Sequence, residues 1–170
     1  VAKVFPDVCV ATDDERIYNV VLSFGGKAVM TQPTHPSGTD RCYEAYLNSG
    51  IEADVVVNVQ GDEPFIDASQ LESIKACFAD TSIHIATLVK PFKPTDTVED
   101  LENPNTPKVV IDGNNNALYF SRSVIPYLRG KDKAEWLKQH TYYKQRVYFA
   151  LTPSVLTNSR FYDRISYTRA

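Results

Sequence analysis

Hydrophobic positions along this chain gather into short apolar runs separated by amphipathic stretches. The most concentrated run is Val55-Val-Val-Asn-Val59, four valines in five positions, which stops at Gln60-Gly-Asp-Glu-Pro64. A continuous run of this kind, rather than an alternating one, predicts a strand covered on both faces, as in the middle of a largely parallel sheet. Shorter runs at Val8–Ala11, Lys27–Thr31 and Ile83–Phe92 predict three more strands. Between them the apolar residues take helical spacing. Ile17, Val20, Val21 and Phe24 recur at i, i+3, i+4 and i+7, which predicts one buried face, with Asp13 as N-cap and Gly25-Gly26 as the stop. Ser37 and Asp40 open a second helix with Cys42, Ala45 and Tyr46 facing inward, and Asp67 with Gln70 opens a third that buries Leu71, Ile74 and Phe78. Strand–helix–strand units this compact argue for right-handed parallel crossovers.

The second half changes character. Lys93 to Glu102 is polar and predicts one or two exposed helical turns, and Asn103-Pro-Asn-Thr-Pro107 is a rigid loop. Lys108–Asp112 and Ala117–Ser121 flank Gly113-Asn-Asn-Asn116 and predict an antiparallel hairpin. Lys131–Gln139 predicts a charged helix with Trp136 and Leu137 as its apolar contacts, and Tyr142–Leu151 predicts a further strand; Thr152–Ala170 shows no clear periodicity. The order βαβαβαβ, then hairpin and helix, predicts an α/β fold: a three-layer sandwich with a mostly parallel, partly mixed sheet. Opening on a strand that feeds straight into a helix also predicts an earlier βα unit ahead of Val1.

Composition narrows the function classes. At 170 residues and 43% hydrophobic content the chain can bury one sizeable core. A net charge of -3 argues against a general nucleic-acid binder. No apolar stretch approaches the roughly 20 residues that span a bilayer, and the start carries no signal-peptide pattern, so no membrane partner is expected. Cys9, Cys42 and Cys77 read as small buried hydrophobes in a reduced compartment, and His35, His84 and His140 are too scattered for a Cys/His metal site.

Three places carry candidate chemistry. Asp62 and Glu63 stand where the valine strand ends, and ligands of open α/β sheets sit outside the carboxyl ends of the strands. That pair is a candidate for a metal ion or a sugar hydroxyl; the alternative is a solvated turn closed by Pro64. Ser37-Gly38-Thr39 either caps a helix or presents backbone N–H groups and hydroxyls to a ligand. Arg122, at a strand end, can fork onto a carboxylate or phosphate, or pair with a neighbouring acid on the surface.

Five motifs then occur in order: Ala11-Thr-Asp-Asp-Glu-Arg16, His35-Pro-Ser-Gly-Thr-Asp-Arg41, Val57-Asn-Val-Gln-Gly-Asp-Glu-Pro64, Asn103-Pro-Asn-Thr-Pro-Lys-Val-Val110 and Ala117-Leu-Tyr-Phe-Ser-Arg122. Together they resemble the 3-deoxy-manno-octulosonate cytidylyltransferases, or CMP-Kdo synthetases, over roughly residues 7 to 144. The resemblance implies a nucleotide-diphospho-sugar transferase-like fold and a nucleotidyl transfer in which CTP and Kdo give CMP-Kdo and pyrophosphate for lipopolysaccharide synthesis. It implies a cytoplasmic, Mg²⁺-dependent homodimer. By the same resemblance Asp62 is a catalytic residue and the metal ligand, Gln60 a second catalytic residue, Ser37, Gly38 and Thr39 cytidine contacts, and Arg122 a sugar-acid contact, with Lys108 left as a structural residue. The implied organisation is a partial cytidylyltransferase domain over residues 1–144 and a divergent tail over 145–170. There the chain reads Gln145-Arg-Val-Tyr-Phe-Ala-Leu-Thr152 in place of the family's His-hydrophobic-Gly run. The family's phosphate-gripping Arg, Ser and Lys and its second metal-binding Asp have no counterpart in these residues. The alternative reading is a catalytically inactive fragment with residual nucleotide or partner binding, or a cytidylyltransferase for a related sugar acid.

Overall fold

The computed structural model describes residues 3–61 and 66–157. Among the described residues two compact units form, one from residues up to 86 together with 148–157 and the other from residues 87–147. The strands β4 (Ile85–Pro91) and β7 (Tyr143–Leu151) contribute residues to both.

In the first unit β1 (Cys9–Thr12) pairs parallel with β2 (Lys27–Met30), from Cys9↔Lys27 to Thr12↔Met30. The connecting helix α1 (Glu15–Ser23) is capped by Asp14, whose carboxylate accepts the Arg16 N–H at 2.8 Å. The cap thus falls one residue later than predicted, because the Asp13 carboxylate is engaged with Arg41. Hydrogen bonds from the Arg16 side chain and backbone hold the Asp14 carboxyl down at about 2. The Gly25-Gly26 stop is as expected: Gly25 takes φ +79°, and its N–H and that of Gly26 reach back to the Leu22 and Val21 carbonyls at 3.0 and 2.9 Å, a Schellman closure. The predicted apolar face is only partly covered. Val21 is buried, while Ile17, Val20 and Phe24 are exposed, Phe24 by 70%. The main contacts of α1 are with the two strands β1 and β2, a narrow platform for a four-residue apolar stripe.

Helix α2 (Gly38–Ser49) packs on β1, β2 and β3 (Val56–Asn58) with Ala45 buried, and ends at Gly50 in the left-handed region, φ +66°. Helix α3 (Ala68–Cys77) has the predicted Asp67–Gln70 capping box and buries Leu71 and Ile74. After β7 a short helix α6 (Pro153–Leu156) buries Leu156.

The second unit holds α4 (Val98–Glu102), capped by Thr97 and Asp100, and the predicted hairpin of β5 (Lys108–Ile111) and β6 (Ala117–Ser121). Asp112 closes the hairpin turn by accepting the Asn114 and Asn116 N–H groups at 2.8 Å, and Asn115 takes φ +64°. Its other long edge pairs with β7 through Lys108↔Lys144 and Val109↔Tyr143. The core is Phe92, Leu101, Trp136, Leu137 and Tyr142. Trp136 and Leu137 belong to a helix α5 (Trp136–Gln139) shorter than predicted, preceded by a 3₁₀ turn at Lys133–Glu135. Both polar tips in this core are satisfied: Trp136 Nε1–H donates to the Lys131 carbonyl at 3.2 Å and Tyr142 O–H to that of Pro126 at 2.9 Å.

The α/β class stands, but the sheet is not mostly parallel. The parallel pairing is β1–β2, whereas the described pairings β3–β7, β5–β6 and β5–β7 of the larger sheet are antiparallel. The valine run forms a three-residue strand whose described partner is β7, through Val56↔Leu151 to Asn58↔Phe149. Strand β7, nine residues long, reaches partners far away in sequence, and local periodicity carries no information about that pairing. The cysteines differ too: Cys9 and Cys42 are half-buried and Cys77 is exposed. Burial pushes the Cys42 thiol up to about 11, which keeps it unreactive at neutral pH. Among the described residues no helix is long and apolar enough to cross a membrane.

Leu101 is 1% exposed in the second unit's core, so Leu101→Ala is expected to cost about 2–5 kcal/mol of stability. Leu118→Ala, on the exposed face of β6, is expected to stay within about 0.5 kcal/mol. Urea unfolding of both variants checks the contrast.

Candidate functional site

In the first unit, the segments leaving the carboxyl ends of β1, β2 and β3 are tied to the first turns of α2. Ser37, in extended backbone (φ -146°, ψ 160°), is the N-cap of α2; its hydroxyl oxygen accepts the Asp40 N–H at 3.2 Å and its O–H bonds the Asp40 carboxylate. The Gly38 and Thr39 N–H groups head the helix, where no intrahelical acceptor exists. The positive end of the helix dipole lies there, so this end favours anions and acceptor atoms.

Gly38 allows a close approach that no other residue would. A Cβ at this position would stand 2.6 Å from Gln60 Oε1 and 2.7 Å from Nε2, so the Gln60 amide lies directly on the glycine. That amide is held in turn: Gln60 Nε2–H donates to Asn58 Oδ1 at 3.0 Å, and Asn58 Nδ2–H donates to Thr39 Oγ1 at 3.4 Å. Four predicted site residues, Ser37, Gly38, Thr39 and Gln60, are therefore brought together at one strand edge. The residue joining them is Asn58, 7% exposed, which the sequence reading passed over. Its signal was present as the one polar interruption of the valine run, since a buried amide must find hydrogen-bond partners.

Two further pairs fix the same end of α2. Arg41 donates to Thr31 Oγ1 at 2.7 Å and meets the Asp13 carboxylate at 3.1 Å, which joins the ends of β2 and β1 to the helix. Glu44 accepts the Gln32 N–H at 2.9 Å and pairs with His35, holding the loop between β2 and α2. The Gln32 N–H first, and His35 second, keep the Glu44 carboxyl below its ordinary range.

Asp62 and Glu63 lie outside the described residues. Arg122 belongs to the second unit, at the end of β6, where its Nη1–H donates to the Pro104 carbonyl at 2.8 Å. Lys108, in the same unit, is fully buried and its Nζ donates to the Asn103 carbonyl at 3.0 Å. That unit also carries a cleft of about 370 Å³ lined by Glu102, Ser123, Val124, Tyr127, Lys133 and Trp136, none of them a predicted site residue. Among the described residues no group of three or more His, Cys, Asp or Glu side chains is placed to hold a metal ion.

A helix N-terminus and an amide side chain thus gather at the carboxyl edge of short strands in an α/β fold, the kind of place where such folds take ligands. Comparison with known proteins narrows the class: the chain belongs to the cytidylyltransferase family, whose model matches residues 1–165. It is 60% identical over 156 residues to a 3-deoxy-manno-octulosonate cytidylyltransferase of Phocaeicola vulgatus, covering 92% of this chain and 62% of the relative. It is 58% identical over 157 residues to the protein of that name from Parabacteroides distasonis, with the same coverage. Among solved structures it resembles CMP:2-keto-3-deoxy-manno-octonic acid synthetase complexed with CTP, at TM-score 0.77 and 37% identity over 93% of this chain and 60% of that one. The chain thus spans 62% of the length of these two relatives.

The Gly38–Gln60 contact predicts a separable effect of Gly38→Ala. The added methyl meets the far end of a flexible side chain, so stability is expected to change by about 1 kcal/mol or less. The Gln60 amide, however, must leave its position against the helix. Thermal unfolding checks the first expectation, and a shift of the Gln60 side-chain NH₂ resonances in the NMR spectrum checks the second.

Proposed function

We propose that the protein transfers CMP from CTP to Kdo, releasing pyrophosphate and forming CMP-Kdo. The observation that carries this reading is the α2 N-terminus closed onto Gln60 through Asn58, in a chain 60% identical to a 3-deoxy-manno-octulosonate cytidylyltransferase. In the reaction the anomeric hydroxyl oxygen of the sugar acid forms a bond to the α-phosphorus, the bond from that phosphorus to the bridging oxygen breaks, and the hydroxyl proton is lost. Little covalent work falls to the protein. Its task is to hold two anionic substrates in line and to stabilise the charge that moves between them.

The residues divide that task. The Gly38 and Thr39 N–H groups offer donors to acceptor atoms of the nucleotide, with the helix dipole behind them. Gln60 carries both a donor and an acceptor, and the bond to Asn58 fixes which way its amide faces. Arg122 is the proposed partner of the sugar-acid carboxylate, a role that suits a planar guanidinium. Asp62, two residues beyond Gln60, would hold Mg²⁺, and the side-chain oxygens of Asn58 and Gln60 on the same segment make this edge hard-donor territory of the kind that ion takes. When bound, the ion neutralises phosphate charge. The same reading includes the three-layer sandwich, a homodimer, a cytoplasmic location and a role in lipopolysaccharide synthesis, with residues 1–144 as the cytidylyltransferase part.

With CTP and Mg²⁺, purified protein is expected to release pyrophosphate only when Kdo is added, and Asp62→Ala to lower turnover by about a hundredfold or more. Wild-type turnover in that variant removes the metal assignment. Calorimetric binding of CTP without any turnover supports the inactive-fragment reading instead, and turnover with a different sugar acid but not Kdo supports the related transferase.

A further inference from the structure

Lys108 carries a formal charge and is 0% exposed. It opens β5, paired with Ser121 of β6 on one side and Lys144 of β7 on the other. Among the described residues its Nζ has one hydrogen-bond acceptor, the Asn103 carbonyl at 3.0 Å, and no carboxylate forms an ion pair with it. The charged groups facing it from the adjacent strands are positive. One is Arg122, beside Ser121; the other is Lys144, whose ammonium is paired with Asp96 at 3.4 Å and lies 4.4 Å from the Phe92 ring centroid. An ammonium buried with one carbonyl and a like-charged neighbour is costly to keep. Burial first, and the Arg122 charge second, lower its pKa.

What Lys108 holds is a turn. The Asn103 carbonyl that it grips also accepts the Thr106 N–H at 3.1 Å, and Asn103 Oδ1 accepts the Asn105 N–H at 2.9 Å. The next carbonyl along, Pro104, is the one that accepts from Arg122 at 2.8 Å. At the far end, the Pro107 carbonyl accepts the Gln145 N–H at 2.9 Å. Two cations therefore grip successive carbonyls of one stiff, proline-bounded turn. The two carbonyls belong to consecutive residues, so the position of the Lys108 ammonium bears on where the Arg122 guanidinium is held.

We infer that Lys108 is a positioning residue for the sugar-acid carboxylate, acting through the Asn103–Pro107 turn on Arg122. The inference rests on the reading of Arg122 as the group that receives that carboxylate, and it deepens that reading. A carboxylate on Arg122 also offsets the repulsion between the two cations, so acid binding and protonation of Lys108 favour each other. The sign follows from linkage: as pH rises through the lowered pKa of Lys108, its proton is lost and affinity for the sugar acid falls. CTP affinity carries no such dependence.

The test is steady-state kinetics of the protein and of Lys108→Met, which keeps an unbranched stem out to Cε and removes the donor. The expected result is a rise of about tenfold in KM for Kdo, with kcat and KM for CTP within about threefold. Thr106 amide exchange, measured without substrates, is expected to quicken in the variant. An unchanged KM for Kdo overturns the inference, as does a loss spread equally over both substrates and kcat. Should Lys108→Met fail to fold, the wild-type pH profile decides: Kdo affinity weakening toward alkaline pH, with CTP affinity level, supports the inference, and a level Kdo profile overturns it. Should the protein not act on Kdo at all, the proposed function fails, while Thr106 exchange in the variant still reads whether Lys108 holds the turn, and unchanged exchange overturns that part.

Discussion

The close approach of the Gln60 amide to the α-carbon of Gly38 is the contact on which the rest of the candidate site depends. A side chain at position 38 would occupy the place of that amide. With glycine there, the amide can lie against the head of a helix and still reach Asn58, and Asn58 can reach Thr39. The three bonding partners come from a strand end, the segment after it and a helix start, so the arrangement ties β3 to the start of α2. That setting is maintained from the other side by Arg41, which joins α2 to Thr31 and Asp13. A buried network of this sort is stabilising only when each member is satisfied.

Ligand binding and helix capping were competing interpretations of Ser37-Gly38-Thr39. The two roles would use different atoms. The Ser37 hydroxyl is committed to Asp40, through its N–H and its carboxylate. Capping thereby fixes the helix start, and it leaves the N–H groups of the next two residues as the donors that point outward along the axis. The cap builds the donor array; it does not compete with it.

What was legible in the sequence was local. The Gly25-Gly26 closure, the Asp67–Gln70 capping box and the β5–β6 hairpin each follow from residues within a few positions of one another, and each formed as expected. The Asp13 cap failed by one residue because a partner 28 positions on, Arg41, claims its carboxylate. The parallel sheet failed for the same kind of reason, since the partners of β7 lie dozens of residues away and strand order is not written in local alternation. In the site, Ser37, Gly38, Thr39 and Gln60 were recognisable by motif, whereas Asn58 was hidden inside a run read only for its valines. Asp62, the residue on which the metal reading rests, stands outside the described residues.

Lys108 shows the same limit from the opposite direction. In sequence it is an unremarkable lysine at the start of a strand. Its burial, and the sharing of one turn between it and Arg122, emerge only when β6 is paired across from β5. A strand start followed by a hairpin returns the chain to its own beginning, which sets Ser121 opposite Lys108 and Arg122 one residue beyond that pair. The Asn103–Pro107 turn, which leads into that strand, then lies within reach of both side chains. The hairpin that the sequence announced most plainly is therefore what places two cations on one turn, and topology rather than motif brings the buried lysine and the end of its own hairpin to the same backbone.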